Sequence, residues 1–302
     1  MSMCARAALL LGLMLAAACT SGPRPEMVLA SGQGGPFGLT SDSTYLYWTN
    51  STGGQVMRIP KEGGPPVTLA SGQFEPHAII SSGPHMFWAN RGNQTIMRKL
   101  LPGGDPVVVA TGQPDLEGLT LTEDFVYWAS GSSVVRKASL SDGVVSAVTD
   151  VPSGPKDLAI SGSPHIYWSN ADGSIRRAPL EGGREEIVAK AGQNATSLAL
   201  NSTHVYWTTF FGAIHRAPRD GGTVETLAEG EDHPRSIAVV DSFIYWAAGG
   251  EKDGAIRRMR HLGLGKPETF AAEQGEPAGI VMDLENIYWV NQASGTVVRA
   301  PL

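Results

Sequence analysis

The stretch Tyr47-Trp48-Thr49-Asn50 is one of seven places where the chain sets a tryptophan directly after another aromatic residue. Successive tryptophans are 40, 40, 40, 39, 39 and 43 residues apart, and these seven are the only ones in the 302 residues. A period of this length is typical of tandem repeat architectures. The pairs are Tyr47-Trp48, Phe87-Trp88, Tyr127-Trp128, Tyr167-Trp168, Tyr206-Trp207, Tyr245-Trp246 and Tyr288-Trp289.

Each repeat contains four short segments with β-strand patterning, separated by turns. An apolar run such as Pro36-Phe37-Gly38-Leu39 precedes the aromatic pair, and a period-two segment ending near an arginine follows it. A Gly-rich turn such as Glu62-Gly63-Gly64 and a second apolar segment, Val67-Thr68-Leu69-Ala70, complete the unit. Four strands in about 40 residues is the pattern of a propeller blade. The sequence therefore predicts an all-β fold, a seven-bladed β-propeller with four antiparallel strands per blade.

The two ends of the chain predict how the ring closes. The repeats begin with a fourth-strand segment, Met27-Val28-Leu29-Ala30, and end just after a third-strand segment at residues 295–299. Seven complete blades result only if the N-terminal strand joins the last blade. We therefore expect one propeller domain over residues 27–302, closed by its own two ends, without the free sheet edge of an open ring.

Composition narrows the classes of function. The chain has a formal net charge of -6 and only 17% charged residues. No run of Lys and Arg exceeds two residues, which argues against a nucleic-acid partner. The two cysteines, Cys4 and Cys19, both precede the repeats, so we expect neither a disulfide nor a Cys-based metal site in the domain.

The N-terminus has the features of an export signal. Arg6 is the only charge before the apolar run 7–18, and that run is shorter than the roughly 20 residues that span a bilayer. Residues 15–19, Leu-Ala-Ala-Ala-Cys, resemble a bacterial lipobox. We expect a signal peptide at 1–18, a lipidated Cys19 with a tether over 19–26, and a protein anchored in the cell envelope. Thr20 in place of Asp favours the outer membrane in a Gram-negative host. The alternative is an ordinary secreted protein cleaved nearby.

The aromatic repeats resemble a known family. Tyr-Trp-Thr-Asn at 47–50 and Tyr-Trp-Ser-Asn at 167–170 are similar to the Tyr-Trp-Thr-Asp repeat of low-density-lipoprotein-receptor-type (YWTD) propellers. This sequence departs from that family in two ways: Asn, or else Ser130, Thr209 and Ala248, stands in place of the Asp, and there are seven units where those receptor propellers have six. The resemblance implies a ligand-binding or scaffold propeller, without naming a ligand. The chain also resembles bacterial lipoproteins of unassigned role and, more distantly, propellers of the streptogramin-lyase type.

Residues that recur between repeats are interpreted as structural. The Asn after the aromatic pair is expected to form a turn. The arginines are expected to bind carbonyls or stack on aromatic rings between blades. They are Arg58, Arg98, Arg136, Arg177, Arg216, Arg258 and Arg299.

Positions that differ between repeats point to function, and one such set opens the first strand of each unit near the axis. We call this set the mouth ring: Phe37, His77, Glu117, Lys156, Thr196, Arg235 and Ala278. Its charged and aromatic members predict a site for a polar ligand. The alternative is a solvated tunnel mouth whose salt bridges contribute little.

A second departure is Thr209-Phe210-Phe211-Gly212, where other repeats have loops such as Asn-Ala-Asp-Gly. Phe210 and Phe211 would anchor a partner protein or an apolar ligand, or else pack over the blade. The longer loop 249–254 is polar, and we expect it to be mobile.

Catalytic signals are weak. The histidines have no metal-ligand spacing, and no nucleophile elbow, phosphate loop or His-Glu-x-x-His motif occurs. His233 is the best single acid-base or metal candidate. We therefore expect a monomeric, non-catalytic scaffold without metal or cofactor, which binds an envelope protein or a small ligand. The alternatives are a lyase- or lactonase-like enzyme using His77, Glu117 and His233, perhaps with a divalent cation, and a purely structural surface protein.

Overall fold

A computed structural model describes residues 25–131, 134–150, 154–192, 194–250, 252–263 and 265–302. The predicted signal peptide and Cys19 lie outside the described residues, and so does most of the predicted tether. The described residues form 28 strands and no helix. Accordingly, this part of the chain contains no helix of the length and apolarity required to cross a bilayer.

The strands follow the chain order predicted from the repeats. They are β1 (Met27–Ala30), β2 (Pro36–Ser41), β3 (Tyr45–Asn50), β4 (Gln55–Pro60), β5 (Val67–Ala70), β6 (Pro76–Ser82), β7 (His85–Asn90), β8 (Thr95–Leu100), β9 (Val107–Ala110), β10 (Leu116–Leu121), β11 (Phe125–Ser130), β12 (Val134–Ser139), β13 (Val145–Asp150), β14 (Pro155–Ala159), β15 (His165–Asn170), β16 (Ser174–Pro179), β17 (Glu186–Lys190), β18 (Ala195–Leu200), β19 (His204–Thr209), β20 (Ile214–Pro218), β21 (Glu225–Ala228), β22 (Ile237–Val240), β23 (Phe243–Ala248), β24 (Gly254–Arg260), β25 (Glu268–Gln274), β26 (Pro277–Met282), β27 (Asn286–Asn291) and β28 (Thr296–Pro301).

These strands form seven antiparallel sheets of four, which confirms the predicted propeller. Blade 1 contains β2 to β5, and each following group of four strands forms the next blade up to blade 6, β22 to β25. Blade 7 has the order β1-β28-β27-β26, so the N-terminal strand is its outermost member. Met27 pairs with Arg299 and Val28 with Val298, which confirms that the two ends of the chain close the ring.

The aromatic pairs join neighbouring blades, as the alternation of strand side chains predicts. Tyr47 of blade 1 packs in one buried cluster with Trp88 of blade 2. Trp48, on the opposite face of the same strand, packs with Tyr288 of blade 7. All seven tryptophans are fully buried, and each one removes about 200 Å² from water, worth at most about 5 kcal/mol. This repeated contact holds the ring together.

A cation pairs with the Tyr or Phe of each blade across the sheet, and in five blades it donates to a backbone carbonyl of the next blade. Arg98 donates to the carbonyl of Leu140 at 3.3 Å, and Arg177 donates to the carbonyl of Arg219 at 3.0 Å. In blade 3, however, the register pairs Tyr127 with Lys137, and the Lys137 Nζ donates to Leu180 O at 2.8 Å. The assignment of Arg136 to this set was therefore wrong, because strand pairing and not residue type selects the position.

A glutamine in the loop before the innermost strand binds the tryptophan, which the sequence interpretation missed. The Gln33 Oε1 accepts from the Trp48 indole at 3.2 Å and from the Asn50 amide at 3.1 Å. Gln73, Gln113 and Gln274 accept the indole N–H of their blades in the same way. Asn50 ends its strand just before a turn, as expected, but its side chain is buried in this contact. The Asn therefore supports the tryptophan in addition to ending the strand.

Candidate binding site at the central mouth

The innermost strands place one residue of each blade around the axis. Five of the seven runs open with Pro, at positions 36, 76, 155, 234 and 277, which presets the backbone for an extended start. Blade 6 differs slightly, since β22 starts only at Ile237. Close to the axis the strands are crowded: a Cβ on Gly118 would lie 2.8 Å from the Asp157 Cα of the next blade. At this position of the β10 strand a small residue is therefore needed.

A cavity of about 690 Å³ opens at this end of the axis. All seven residues of the mouth ring line it, together with Arg91, Asp157, Phe210 and His233. The structure thus brings the predicted ring residues of all seven blades to one wall. Residues from deeper in the strands, such as Leu39, Leu119 and Ile280, make its interior apolar.

One side of the mouth carries a cluster of three charges. The Glu117 Oε1 contacts the Lys156 Nζ at 3.2 Å and the Arg91 Nη2 at 3.3 Å. The Arg91 and Lys156 side chains are 40% and 39% exposed, whereas that of Glu117 is only 20% exposed. A single carboxylate therefore faces two cations, and this cluster has an excess of one positive charge.

Arg235, farther round the ring, is held differently. Its Nη2 contacts the Glu276 Oε1 at 2.6 Å, and its Nη1 donates to the Gln292 Oε1 at 3.2 Å. Both partners belong to blade 7, and neither lines the cavity. The charge of Arg235 is thus neutralised by a carboxylate of its own.

Two members of the mouth ring, Phe37 and His77, have aromatic side chains that lie against each other. The Phe37 and His77 ring centroids are 3.9 Å apart, with an angle of 35° between the planes. Burial lowers the pKa of His77 to about 3, helped by the positive charges of Arg91 and Lys156 and opposed by a hydrogen bond to the Glu117 backbone. The imidazole is therefore neutral at physiological pH. Its buried Nδ1 has no hydrogen-bond partner among the described residues.

The Phe210-Phe211 loop lies at the same mouth. Phe210 lines the cavity and packs edge-on against the His233 ring, 5.0 Å between centroids. Phe211 is not among the residues that line the cavity and is 69% exposed, while Phe210 is 48% exposed. Both rings thus keep about half or more of their surface exposed. His233 contacts Asp232 at 2.5 Å and has a left-handed φ of 41°.

Arg91 and Asp157 line the cavity but were missed in the sequence. Arg91 follows Asn90 at the strand end, as Phe210 follows Thr209, so comparing this position between repeats would have found it. Asp157 occupies a position where the other six blades have Gly38, Ala78, Gly118, Ser197, Ser236 and Gly279.

Asp157 is a buried carboxylate that joins two blades. Its Oδ2 accepts from the Ser197 hydroxyl at 2.8 Å and from the Leu198 amide at 3.0 Å. Burial raises the pKa of Asp157, with a further contribution from the negative charge of Glu117. The Ser236 hydroxyl accepts the amide of Ile280 in the same way between blades 6 and 7. Asp157 therefore acts first as a link between inner strands.

The candidate acid-base residues do not assemble into a metal centre. In the part of the chain that the structure describes, no group of three or more His, Cys, Asp or Glu side chains is placed to hold a metal ion. The mouth combines paired charges, a neutral imidazole and exposed phenylalanines around an apolar interior.

Comparison with known proteins identifies the fold. No protein-family model matches the chain, and no curated protein matches it in sequence. A streptogramin B lyase structure superposes with a TM-score of 0.78 at 16% identity, over 91% of this chain and 96% of the lyase. A catalytically inactive virginiamycin B lyase from Staphylococcus aureus with quinupristin gives 0.76 at 17% identity, over 92% of this chain and 98% of the lyase.

A chain from a nidogen/laminin complex is a third structural neighbour. It superposes with a TM-score of 0.58 at 19% identity, over 73% of this chain and 90% of that chain. At such low identities, these likenesses establish the propeller fold alone.

Proposed function

We propose that this protein is a lipid-anchored envelope propeller that binds a partner or ligand at its mouth face without catalysis. The observation that carries the proposal is the exposed pair Phe210 and Phe211 at the rim of the charged cavity. Exposed aromatic side chains beside polar groups are typical of interaction sites. The similarity of the Tyr-Trp repeats to YWTD propellers supports the same function, as does the fold likeness to a chain from a nidogen/laminin complex.

The distribution of exposed aromatic residues supports binding at this face. Among the described residues, the exposed large aromatic side chains are Phe74, Phe210 and Phe211. Phe74 lies in the loop between β5 and β6 that leads to the mouth, and the other two follow β19. Exposed aliphatic residues such as Val144 and Ile187 lie instead in or beside the outer strands. Aromatic side chains therefore concentrate on the mouth face.

The course of the first strand supports an anchor that leaves this face free. The Ala30 end of β1 leads through residues 31–35 to Pro36 at the mouth. Met27 is consequently at the opposite end of the strand, on the outer edge of blade 7. A tether attached there would leave the mouth pointing away from the membrane. To test the anchor, a Cys19→Ser protein is expected to lose membrane association and labelled fatty acid; retention of both would contradict it.

The binding proposal is tested by capture from an envelope extract of the native host. Residues 20–302, immobilised, are compared with a Phe210→Ala/Phe211→Ala copy and with a Val144→Ala/Ile187→Ala copy, which removes exposed apolar residues elsewhere. We expect a partner that the unmodified protein and the second copy retain and the first copy loses. Equal retention by all three copies would place binding elsewhere.

A second candidate is a lyase- or lactonase-like enzyme, favoured by the size of the cavity and by Glu117 and His233 close to it. The fold likeness to virginiamycin B lyase supplies a substrate to try. Quinupristin is incubated with the protein with and without Mg²⁺, and conversion is followed by liquid chromatography. Conversion that Glu117→Ala or His233→Ala abolishes would replace the scaffold proposal with the enzyme.

A further inference from the structure

We propose that the mouth recognises a monoanionic aromatic acid, whose carboxylate binds Arg91 and Lys156 and whose ring packs against Phe37 and His77. This inference rests on the proposed binding function and deepens it, because it specifies the ligand class for the cavity itself. The Phe210-Phe211 pair, in the loop after β19 of blade 5, is not needed for it, so the two proposals can fail separately.

The charge balance of the mouth determines the sign of the ligand. Arg235 is neutralised by Glu276, and the His77 imidazole is neutral, so neither adds net charge to the cavity. In the remaining cluster, Arg91 and Lys156 share the one carboxylate of Glu117. Asp157, the other carboxyl group of the cavity wall, is buried and accepts from the Ser197 hydroxyl and the Leu198 amide, so Glu117 is the one carboxylate that pairs with Arg91 and Lys156 among the described residues. A ligand with one negative charge, together with Glu117, neutralises the two cations, whereas a phosphate dianion would add one negative charge too many.

The Arg91 and Lys156 side chains also have unused hydrogen-bond donors. A guanidinium has five N–H groups and an ammonium has three. In the described residues, the Arg91 side chain uses one donor, to Glu117, and Lys156 likewise uses one. Both side chains are about two-fifths exposed and line the cavity. Unused donors on two neighbouring cations suit the two oxygens of a carboxylate.

The aromatic part of the ligand follows from the wall beside these cations. Phe37 and His77 are half-buried, their centroids are 3.9 Å apart, and both line the cavity. Arg91 and Lys156 are near enough to His77 to lower its pKa. A ring that packs on this pair can therefore keep a directly attached carboxylate within reach of the cations. The apolar interior of the cavity, lined by residues such as Leu39 and Ile280, suits a fused aromatic ring.

Substitutions of the three charged residues are expected to change the affinity for an anion in opposite directions. Glu117 competes with a bound carboxylate for Arg91 and Lys156 and repels it. Glu117→Gln should therefore strengthen the binding of an anion, while Arg91→Gln or Lys156→Gln should weaken it. If Glu117 were instead a ligand-binding or catalytic group, its removal would weaken binding. The direction of the Glu117 effect thus separates the two roles.

The test is isothermal titration calorimetry of the soluble chain, residues 20–302, with 2-naphthoate and with its neutral amide, 2-naphthamide. We expect naphthoate to bind at least about 10-fold more tightly than the amide, since a charge-assisted pair of hydrogen bonds is worth roughly 1.4 kcal/mol or more. Arg91→Gln and Lys156→Gln should each cost about 10-fold in naphthoate affinity, and Glu117→Gln should raise it about 3-fold or more. Arg184→Gln, at an exposed turn away from the mouth, is the matched charge control and should change nothing.

Circular dichroism and thermal unfolding check that each variant folds. The proposal is overturned if neither probe binds, if acid and amide bind equally, if Arg184→Gln weakens binding as much as Arg91→Gln, or if Glu117→Gln weakens binding. Partner capture that still depends on Phe210 and Phe211 would in that case leave the broader binding function standing.

Discussion

The Lys61 Nζ lies 3.0 Å from the Asp283 Oδ2, although 222 residues separate the two in the chain. Lys61 follows the third strand of blade 1, and Asp283 follows the innermost strand of blade 7. The Lys61 backbone carbonyl also accepts from the Arg299 guanidinium at 2.9 Å. These contacts lie where the ends of the chain meet, so they add side-chain interactions to the β1–β28 pairing that closes the ring.

The contacts of Asp283 should make the free energy of unfolding decrease at acidic pH. Burial acts to raise the pKa of Asp283, but hydrogen bonds from Lys61, the Glu285 and Asn286 amides and Tyr288 outweigh it and lower the pKa to about 2. A carboxyl group with a lowered pKa stabilises the folded state above its ordinary pKa of 3.8, and that stabilisation is lost as the pH falls toward 2. Urea unfolding at pH 7, 4 and 2.5 should show Asp283→Asn destabilised at pH 7 and the difference shrinking with acid. A constant difference would contradict the assignment.

Removing the N-terminal strand should open the ring. Without residues 27–31, β28 becomes a free sheet edge and the buried Leu29 and Ala30 leave their cluster. We expect a chain that starts at residue 32 to lose at least about 3 kcal/mol of stability and to self-associate, compared with one that starts at residue 20. Thermal unfolding and light scattering measure the two effects. Equal melting temperatures would show that the pairing contributes little.

The register of blade 3 can be tested with adjacent residues. The Lys137 Nζ donates to Leu180 O and lies 4.5 Å from the Phe125 ring centroid, and the residue is buried. Lys137→Ala should therefore destabilise the protein by about 1–3 kcal/mol, because it leaves a carbonyl of the next blade without its donor. Arg136→Ala is the control, and urea unfolding should show a smaller loss. The reverse order would restore Arg136 to the repeated set.

Asp157 should contribute to the pH dependence of stability with a sign opposite to that of Asp283. Burial, helped by Glu117, raises the pKa of Asp157. A raised pKa means that the folded state holds its proton longer than the unfolded chain, so this group's contribution falls as the pH rises above the ordinary pKa of 3.8. The stability of Asp157→Asn relative to the unmodified protein should therefore increase between pH 4 and pH 7 in urea unfolding. A relative stability that decreases over this range would show that the hydrogen bonds dominate.

Part of the candidate site was accessible from the sequence. The mouth ring follows from strand periodicity, because the corresponding position at the start of each innermost segment must lie near the axis in every blade. The same comparison identified Phe210, and applied to the residue after Asn90 it would have identified Arg91. The sequence did not indicate which charges pair. Glu117 contacts a loop of blade 2 and a strand of blade 4, and such contacts depend on loop conformations in separate repeats.

The sequence by itself determined the number of blades, the strands in each, the burial of Tyr and Trp on opposite faces and the closure by residues 27–30. These are properties of a local period, which each blade repeats with its own residues. Only the tertiary structure decided that Lys137 replaces Arg136, that Gln33 binds Trp48, and that Arg91 and Lys156 share Glu117. Those contacts join residues of different strands, loops or blades, where register and side-chain reach, and not residue type, select the partner.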